Sequence, residues 1–204
     1  ISVVKKDAEK GDLRLEGAQF VIKNNNGAIV DTITTNKNGV ATSKSLNQGV
    51  YTIEETKAPA GYKLGNYTKT VNVLDNGKTY NYDVTNNVIK GKISIEKVDA
   101  TNQDKKLEGA VFDVIAVDVP GVTEGTVVAK SLTTGVNGVV TTGDLRYGTY
   151  KIVETKAPSG YQKVNTEYTV TIDTDAKVYT QKISNTPVKV EPPVVKISAK
   201  VKVV

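Results

Sequence analysis

The sequence predicts an all-β protein made of two tandem β-sandwich modules. Three observations support this fold class. The chain contains an internal repeat, and its short runs rich in Val, Ile, Thr and Tyr alternate with polar residues between turn sequences. In addition, no window of about 11 residues or more shows a helical hydrophobic stripe. Two packed sheets per module are the simplest way to bury such strands.

Two pairs of segments define the repeat. LEGAQF at Leu15–Phe20 returns as LEGAVF at Leu107–Phe112, and the 2 Phe residues of the chain occupy matching places in this pair. YTIEETKAPAGY at Tyr51–Tyr62 returns as YKIVETKAPSGY at Tyr150–Tyr161. Because both order and spacing are kept, we interpret the chain as two copies of one whole module.

The repeat divides the chain into three parts. Module 1 is residues 1–90 and module 2 is residues 91–188, and a Pro-containing tail follows at 189–204. Module 2 is longer because of the segment AVDVPGVTEGT at Ala116–Thr126. The Pro-Gly pair in this segment predicts a surface loop.

Each module is predicted to contain about seven strands separated by turn sequences such as NKNG and DNG, a size that fits an immunoglobulin-like sandwich. Strand alternation places Tyr51, Ile53 and Glu55 on one face. If Ile53 faces the core, Glu55 faces it too, and the same reasoning applies to Glu154 beside Ile152. The AP-x-GY segment that follows each strand is predicted to be a turn.

The tail sequence EPPVVKISAKVKVV begins with a stiff Pro-Pro pair and continues with alternation typical of a strand. KIS at Lys196 repeats KIS at Lys92, so this strand either begins a further module or pairs with an exposed sheet edge. The chain has no Met, even at position 1, and we therefore expect a processed form or a fragment.

Composition argues against several classes of protein. Cys and His are both absent, which removes disulfides, thiolate chemistry and the commonest metal ligands. We therefore expect no metal, no cofactor and no conventional enzyme. No apolar run is long enough to cross a bilayer, so no membrane contact is expected in this fragment.

The net charge of +5 does not indicate nucleic-acid binding. Much of it lies in the tail, and the body of the chain is nearly balanced. Basic residues are not interleaved with aromatic ones, as a nucleic-acid surface would require. The charged tail residues are Lys189, Lys196, Lys200 and Lys202 against Glu191.

Taken together, VVKKD, LEGAQF, YTIEETKAPAGY and VTNN resemble the collagen-adhesin B-type (CnaB) repeat of Gram-positive surface proteins and pilins. The resemblance covers both copies. It implies an inverse immunoglobulin-like sandwich related to prealbumin. It also implies an extracellular protein anchored to the cell wall, with the signal peptide and the anchor outside this fragment.

Many members of that family form an intramolecular isopeptide bond between a Lys on the first strand and an Asn or Asp on the last, assisted by a buried Glu or Asp. The resemblance assigns the cross-link to the Lys and Asn of each copy and the proton shuttle to the Glu. The matching residues are Lys5, Glu55 and Asn86 in module 1, and Lys97, Glu154 and Asn185 in module 2.

Residue chemistry agrees with these roles, and alternatives remain open. A Lys and a carboxylic acid enclosed in an apolar core can rest as neutral amine and neutral acid. The amine can then attack the Asn amide while the acid hydrogen-bonds the amide oxygen. In module 1, however, Lys6, Glu54 and Asn87 are neighbours of the same or similar type. Module 2 favours Lys5, Glu55 and Asn86, because their counterparts have no such neighbours. A triad that is merely structural is the other alternative.

The function predicted from these observations is that of a structural stalk module in a surface adhesin or pilus protein, with one autocatalytic isopeptide bond per domain. Its partners would be other modules of the same surface protein or pilus. The alternative is a basal or minor pilin, or an adhesin domain. Such a domain would bind a host extracellular-matrix protein through Ala116–Thr126 or through the tail.

Overall fold

A computed structural model describes residues 1–190, which form strands and contain no helix. The strand predicted in the tail falls on residues 191–204 and lies outside the described residues. Within the described part, no helix has the length and apolar character that a membrane span requires. The all-β prediction is confirmed, and each module folds as two packed sheets.

Module 1 contains the predicted seven strands. One sheet has the order β4-β1-β7 and the other β3-β2-β5-β6. The strands are β1 (Ser2–Asp7), β2 (Gln19–Asn24), β3 (Ile29–Thr34), β4 (Val40–Thr42), β5 (Gly49–Lys57), β6 (Thr68–Val73) and β7 (Asn81–Asn86).

Module 2 contains eight strands rather than about seven. The additional strand has only two residues and pairs with the beginning of the module's first strand, where Leu145 is opposite Gly91. The strands are β8 (Lys90–Asp99), β9 (Val111–Asp118), β10 (Val127–Thr133), β11 (Val139–Thr141), β12 (Leu145–Arg146), β13 (Gly148–Lys156), β14 (Tyr168–Ile172) and β15 (Val178–Asn185). One sheet joins β11, β8, β12 and β15, and the other has the order β10-β9-β13-β14.

The first and last strands of each module are parallel neighbours. In module 1, β1 pairs with β7 so that Asp7 is opposite Asn86. In module 2, β8 pairs with β15 so that Asp99 is opposite Asn185. Residues near the two ends of a module's sequence are thereby brought side by side.

Apolar side chains fill the space between the sheets. Phe20 and Ile53 in module 1, and Phe112 and Ile152 in module 2, have no exposed surface. The predicted alternation along β5 is confirmed, because Glu55 is as enclosed as Ile53. The predicted turns after β5 and β13 are also present, since Gly61 and Gly160 have φ of 79° and 80°.

The segment Ala116–Thr126 is only in part a surface loop, contrary to the prediction. Its first residues extend β9, and Ala116 and Val119 are buried. Their apolar side chains join the module 2 core, which explains why the strand continues. The following turn reaches module 1, where Lys10 Nζ donates to the Gly121 carbonyl oxygen.

Candidate functional site

The predicted site residues of module 1 converge between its two sheets. Lys5 lies on β1 and Asn86 ends β7, so one sheet supplies both. Glu55 lies on β5 of the facing sheet, opposite Phe20 of β2. The relative exposures of Lys5, Glu55 and Asn86 are 0%, 4% and 3%, which makes this a polar cluster enclosed in an apolar core.

In module 1 the three side chains are in direct contact. Lys5 Nζ lies 2.9 Å from Glu55 Oε1. It also donates to Asn86 Oδ1, while Asn86 Nδ2 donates to Glu55 Oε1 at 3.0 Å. The carboxyl group therefore faces the amide nitrogen. The expectation that it would face the amide oxygen is wrong, because Lys5 occupies that side of the amide.

Module 2 assembles the matching residues with looser geometry. Lys97 Nζ lies 3.4 Å from Glu154 Oε1, and Asn185 Nδ2 donates to Glu154 Oε2 at 3.0 Å. Glu154 Oε2 also accepts the Val164 amide at 2.6 Å, and Asn185 Nδ2 donates to the Gln162 carbonyl oxygen at 2.7 Å. Within the described residues, Lys97 Nζ and Asn185 Oδ1 have no hydrogen-bond partner.

The surroundings of both lysines disfavour their charged form. Burial lowers the pKa of Lys5 and of Lys97, and the neighbouring Glu in each module opposes this shift only in part. An aromatic ring adjoins each amine, with Lys5 Nζ 5.6 Å from the Phe20 centroid and Lys97 Nζ 5.9 Å from that of Phe112. Each amine thus has one acidic neighbour in an otherwise largely apolar pocket.

The neighbours that could have taken these positions in module 1 point outward. Lys6 pairs with Asp83 on the surface at 2.5 Å, and Glu54 pairs with Lys23. Asn87 is exposed. Burial therefore distinguishes Lys5, Glu55 and Asn86 from their neighbours, as the module 2 sequence indicated.

Some residues of the site were not identified from sequence. Comparison of the two copies identifies Phe20 and Phe112 as matched positions, but it does not predict that each ring adjoins a lysine amine. Gln162 and Val164 contribute backbone groups, which carry no sequence signal. Within residues 1–190, no group of three acidic side chains is arranged to hold a metal ion.

A second matched pair lies at the end of each module. Tyr62 OH donates to Asp7 Oδ2 and Tyr161 OH donates to Asp99 Oδ2, both at 2.8 Å. Hydrogen bonds from the Thr101 side chain and backbone, together with the one from Tyr161, lower the pKa of Asp99 to about 2. These pairs tie the AP-x-GY turn to the first strand of each module.

Comparison with known proteins places both modules in one family. The profile of the SpaA prealbumin-like fold domain matches residues 1–88 and again residues 91–187. The chain belongs to this family. The resemblance inferred from the repeated motifs is confirmed at this level, including the prealbumin-like fold and the presence of two consecutive domains.

Three similar proteins come from Gram-positive bacteria. The chain is 32% identical over 173 residues to the serine-aspartate repeat-containing protein D of Staphylococcus aureus, covering 75% of this chain and 12% of that protein. It is 33% identical over 93 residues to the trypsin-resistant surface T6 protein of Streptococcus pyogenes, covering 46% of this chain and 17% of that protein. The solved TIE protein of Bacillus anthracis superposes with a TM-score of 0.72 at 29% identity, covering 92% of this chain and 34% of that one.

Proposed function

We propose that this chain is a structural stalk segment of a Gram-positive cell-surface protein, and that each module closes one Lys–Asn isopeptide bond within itself. The observation that carries the proposal is the buried contact of Lys5, Glu55 and Asn86 at the seam between the first and last strands. Module 2 repeats it with Lys97, Glu154 and Asn185.

The family supports an extracellular, structural role. The T6 relative is named as a surface protein, and both modules match the prealbumin-like fold domain. The chain spans only 12% to 34% of these three relatives, so its place in a longer stalk or pilus, and its attachment to the cell wall, are parts of the proposal.

The first chemical step is a proton transfer from the Lys5 ammonium group to the Glu55 carboxylate. Their atoms are 2.9 Å apart, and removal from water disfavours both charges. The lowered pKa of Lys5 acts in the same direction. The products are a neutral amine and a neutral carboxylic acid, and the amine can act as a nucleophile.

In the second step, Lys5 Nζ attacks Asn86 Cγ and forms a tetrahedral intermediate. The proton gained by Nζ must leave it, and the amide nitrogen must receive a proton before departing as ammonia. Glu55 is placed for this transfer, because its Oε1 lies 3.0 Å from Asn86 Nδ2. The amine and amide become a secondary amide and ammonia, and Glu55 returns to its protonated form.

Enclosure favours this reaction over hydrolysis. All three groups are held together before the reaction, which removes most of the entropic cost of their encounter. A surface depression of about 440 Å³, lined in part by residues 64–68, borders Glu55 and offers ammonia an exit. The reaction occurs once in each module, so it involves no turnover.

The bond would have a mechanical consequence. Because β1 and β7 are parallel neighbours, a Lys5–Asn86 link joins the two strands through which tension enters and leaves module 1. Force would then pass through covalent bonds, and the hydrogen-bonded ladders between the two linked residues would bear little load. This property suits a stalk.

A host extracellular-matrix protein is the other candidate partner. The segment Ala116–Thr126 and the tail are the two predicted contact regions, and residues 191–204 of the tail lie outside the described residues. Ala116 and Val119 are buried and Gly121 contacts module 1, so only the remaining surface of the segment is free for a host protein. We therefore place the stalk role first.

Peptide mapping after digestion tests the proposed bonds. We expect one branched peptide joining Lys5 to Asn86 and another joining Lys97 to Asn185. The controls Lys6→Ala and Asn87→Ala change the exposed neighbours and should keep the first branched peptide. Linear peptides alone from the folded protein would refute the proposed chemistry.

A further inference from the structure

We propose that the two modules meet in an interlocking junction that fixes their relative orientation, and that Arg146 is its main contact residue. This inference adds to the stalk role and does not depend on the isopeptide bonds. The junction forms between the end of module 1 that follows β1 and the end of module 2 that contains β12.

Arg146 connects the modules through two carboxylates. Its Nη2 donates to Asp7 Oδ2 and its Nη1 donates to Glu9 Oε2 at 2.7 Å. The Asp7 side chain is fully enclosed and the Arg146 side chain is only 11% exposed. Asp7 is also held by Tyr62, so the acceptor is fixed before Arg146 binds it. Enclosed, charge-assisted pairs of this kind are directional and are weakly screened by salt.

Three further polar contacts join the two sides of the junction. Lys90 Nζ lies 2.5 Å from Glu9 Oε1, so Glu9 receives two cations. Lys63 Nζ pairs with Asp175 Oδ2 at 2.7 Å. Lys10 donates to the carbonyl oxygen of Gly121, which lies in the additional segment of module 2, Ala116–Thr126. Glu9 and Lys10 follow β1 and Lys63 follows β5, so the contacts are spread over two segments of module 1. We expect contacts spread in this way to resist both bending and twisting.

The connecting residue is held by both modules. The Ile89 amide donates to the Gly61 carbonyl oxygen at 2.8 Å, and the Ile89 carbonyl oxygen accepts the Tyr147 amide at 2.7 Å. The Tyr147 ring covers Gly61 so closely that a Cβ there would overlap it. Tyr147 also packs against the small apolar cluster that contains Tyr62 and Val88. A linker bonded on both sides cannot act as a free hinge.

The repeat supplies an internal comparison for the module 1 side of the junction. Glu9, Lys10 and Lys63 each contact module 2, as described above. At the matching end of module 2 their counterparts are Thr101, Asn102 and Gln162. Asp7 and Tyr62, by contrast, are matched by Asp99 and Tyr161. The copies therefore share Asp7 and Tyr62, which tie the turn to the first strand and also contact module 2, and they differ at the other three contact residues.

The module 2 side shows the same division. Arg146, Tyr147 and Asp175 contact module 1, and their counterparts at the matching end of module 1 are Asn47, Gln48 and Asn76. Gly121 lies in the additional segment and has no counterpart. The pairs Arg146–Glu9 and Lys63–Asp175 join positions at which the repeat diverges on both sides. Divergence without a structural role would not produce paired contacts of opposite charge.

The test measures the distance between the modules in solution. Because the chain has no Cys, Thr70→Cys and Thr169→Cys introduce two unique sites for spin labels at exposed, matched strand positions. We expect a single narrow distance distribution between the labels. Replacing Arg146 with the residue of its module 1 counterpart, Arg146→Asn, should broaden it severalfold, and adding Glu9→Thr and Lys63→Gln should broaden it further.

Lys78→Ala is the matched control, since it removes the exposed Lys78–Asp75 pair within module 1. It should leave the distribution narrow. Circular dichroism of each variant establishes that the modules remain folded. A broad distribution in the parent chain, or an unchanged one in the triple variant, would overturn the proposed junction. Intact mass reports the isopeptide bonds separately, so the two proposals can fail independently.

Discussion

Lys5 Nζ and Glu55 Oε1 lie 2.9 Å apart, and neither side chain is exposed to solvent. An ion pair in such a place carries a large desolvation penalty, and an apolar pair of similar volume would often be more stable. The pair therefore contributes little to stability by itself. We propose that it is a reactive arrangement, because Asn86 contacts both groups.

Removing either glutamate should prevent the bond in its own module only. Glu55→Ala removes the group that exchanges protons with Lys5 and with the leaving nitrogen, and the adjacent Glu54 points outward. We expect the intact mass of Glu55→Ala to be lower than its own sequence mass by one ammonia molecule, whereas the parent chain is lower by two. The same result is expected for Glu154→Ala. Glu54→Ala is the control and should have both bonds. Full bond formation in Glu55→Ala would exclude Glu55 as the proton shuttle.

The bond in module 1 should make a large contribution to stability. It would close a loop of 81 residues, which corresponds to about 4 to 5 kcal/mol by the loop-entropy relation for cross-links. We expect Asn86→Ala to lower the free energy of unfolding, measured by denaturant titration, by at least this amount. Asn87→Ala serves as the exposed control. A loss near ~1 kcal/mol would match a lost hydrogen bond alone and would contradict the cross-link.

The two bonds should form at different rates. In module 1 the amine already contacts the amide it attacks, whereas Lys97 Nζ has no hydrogen-bond partner within the described residues and lies 3.4 Å from Glu154 Oε1. Intact mass should be followed during cell-free synthesis of Asn185→Ala and of Asn86→Ala, which retain one reactive module each. The chain that retains module 1 should lose ammonia first. The reverse order would show that the contacts made by the lysine amine before the reaction do not control the rate of isopeptide-bond formation.

Acid should weaken module 2 through Asp99. Its folded pKa of about 2 is below the usual value of 3.8, because Thr101 and Tyr161 stabilise the carboxylate. Because the folded protein holds the Asp99 carboxylate in its ionised form, Asp99 stabilises the folded state above pH 3.8. This stabilisation is lost as the pH falls through about 2. Calorimetry of the parent and of Asp99→Asn should show melting temperatures that converge between these pH values. A constant difference would contradict the linkage.

The local parts of the site follow from sequence. Alternation along β5 places Glu55 on the same face as Ile53, and the structure agrees. Comparison of the two copies distinguishes Lys5, Glu55 and Asn86 from their neighbours. Two copies of one fold tolerate different residues on the surface, so what they share is enriched in residues that the fold or the site requires.

Contacts between the modules could not be predicted in this way. Arg146 and Asp7 are 139 residues apart, and Asn47 stands at the position of Arg146 in the other copy. A repeat reports what its copies share, whereas most residues of the junction, Arg146 among them, differ between the copies. The same reason explains β12 and the inward start of the segment Ala116–Thr126, where Ala116 and Val119 are buried before the turn at Pro120 and Gly121.

The intact mass of the purified, folded chain tests the central proposal most directly. Each isopeptide bond releases one ammonia molecule and changes nothing else in the composition of the protein. We predict a mass lower than the sequence mass by two ammonia molecules, which should persist after complete denaturation. A mass equal to the sequence mass would contradict the proposal that these two buried triads are reactive.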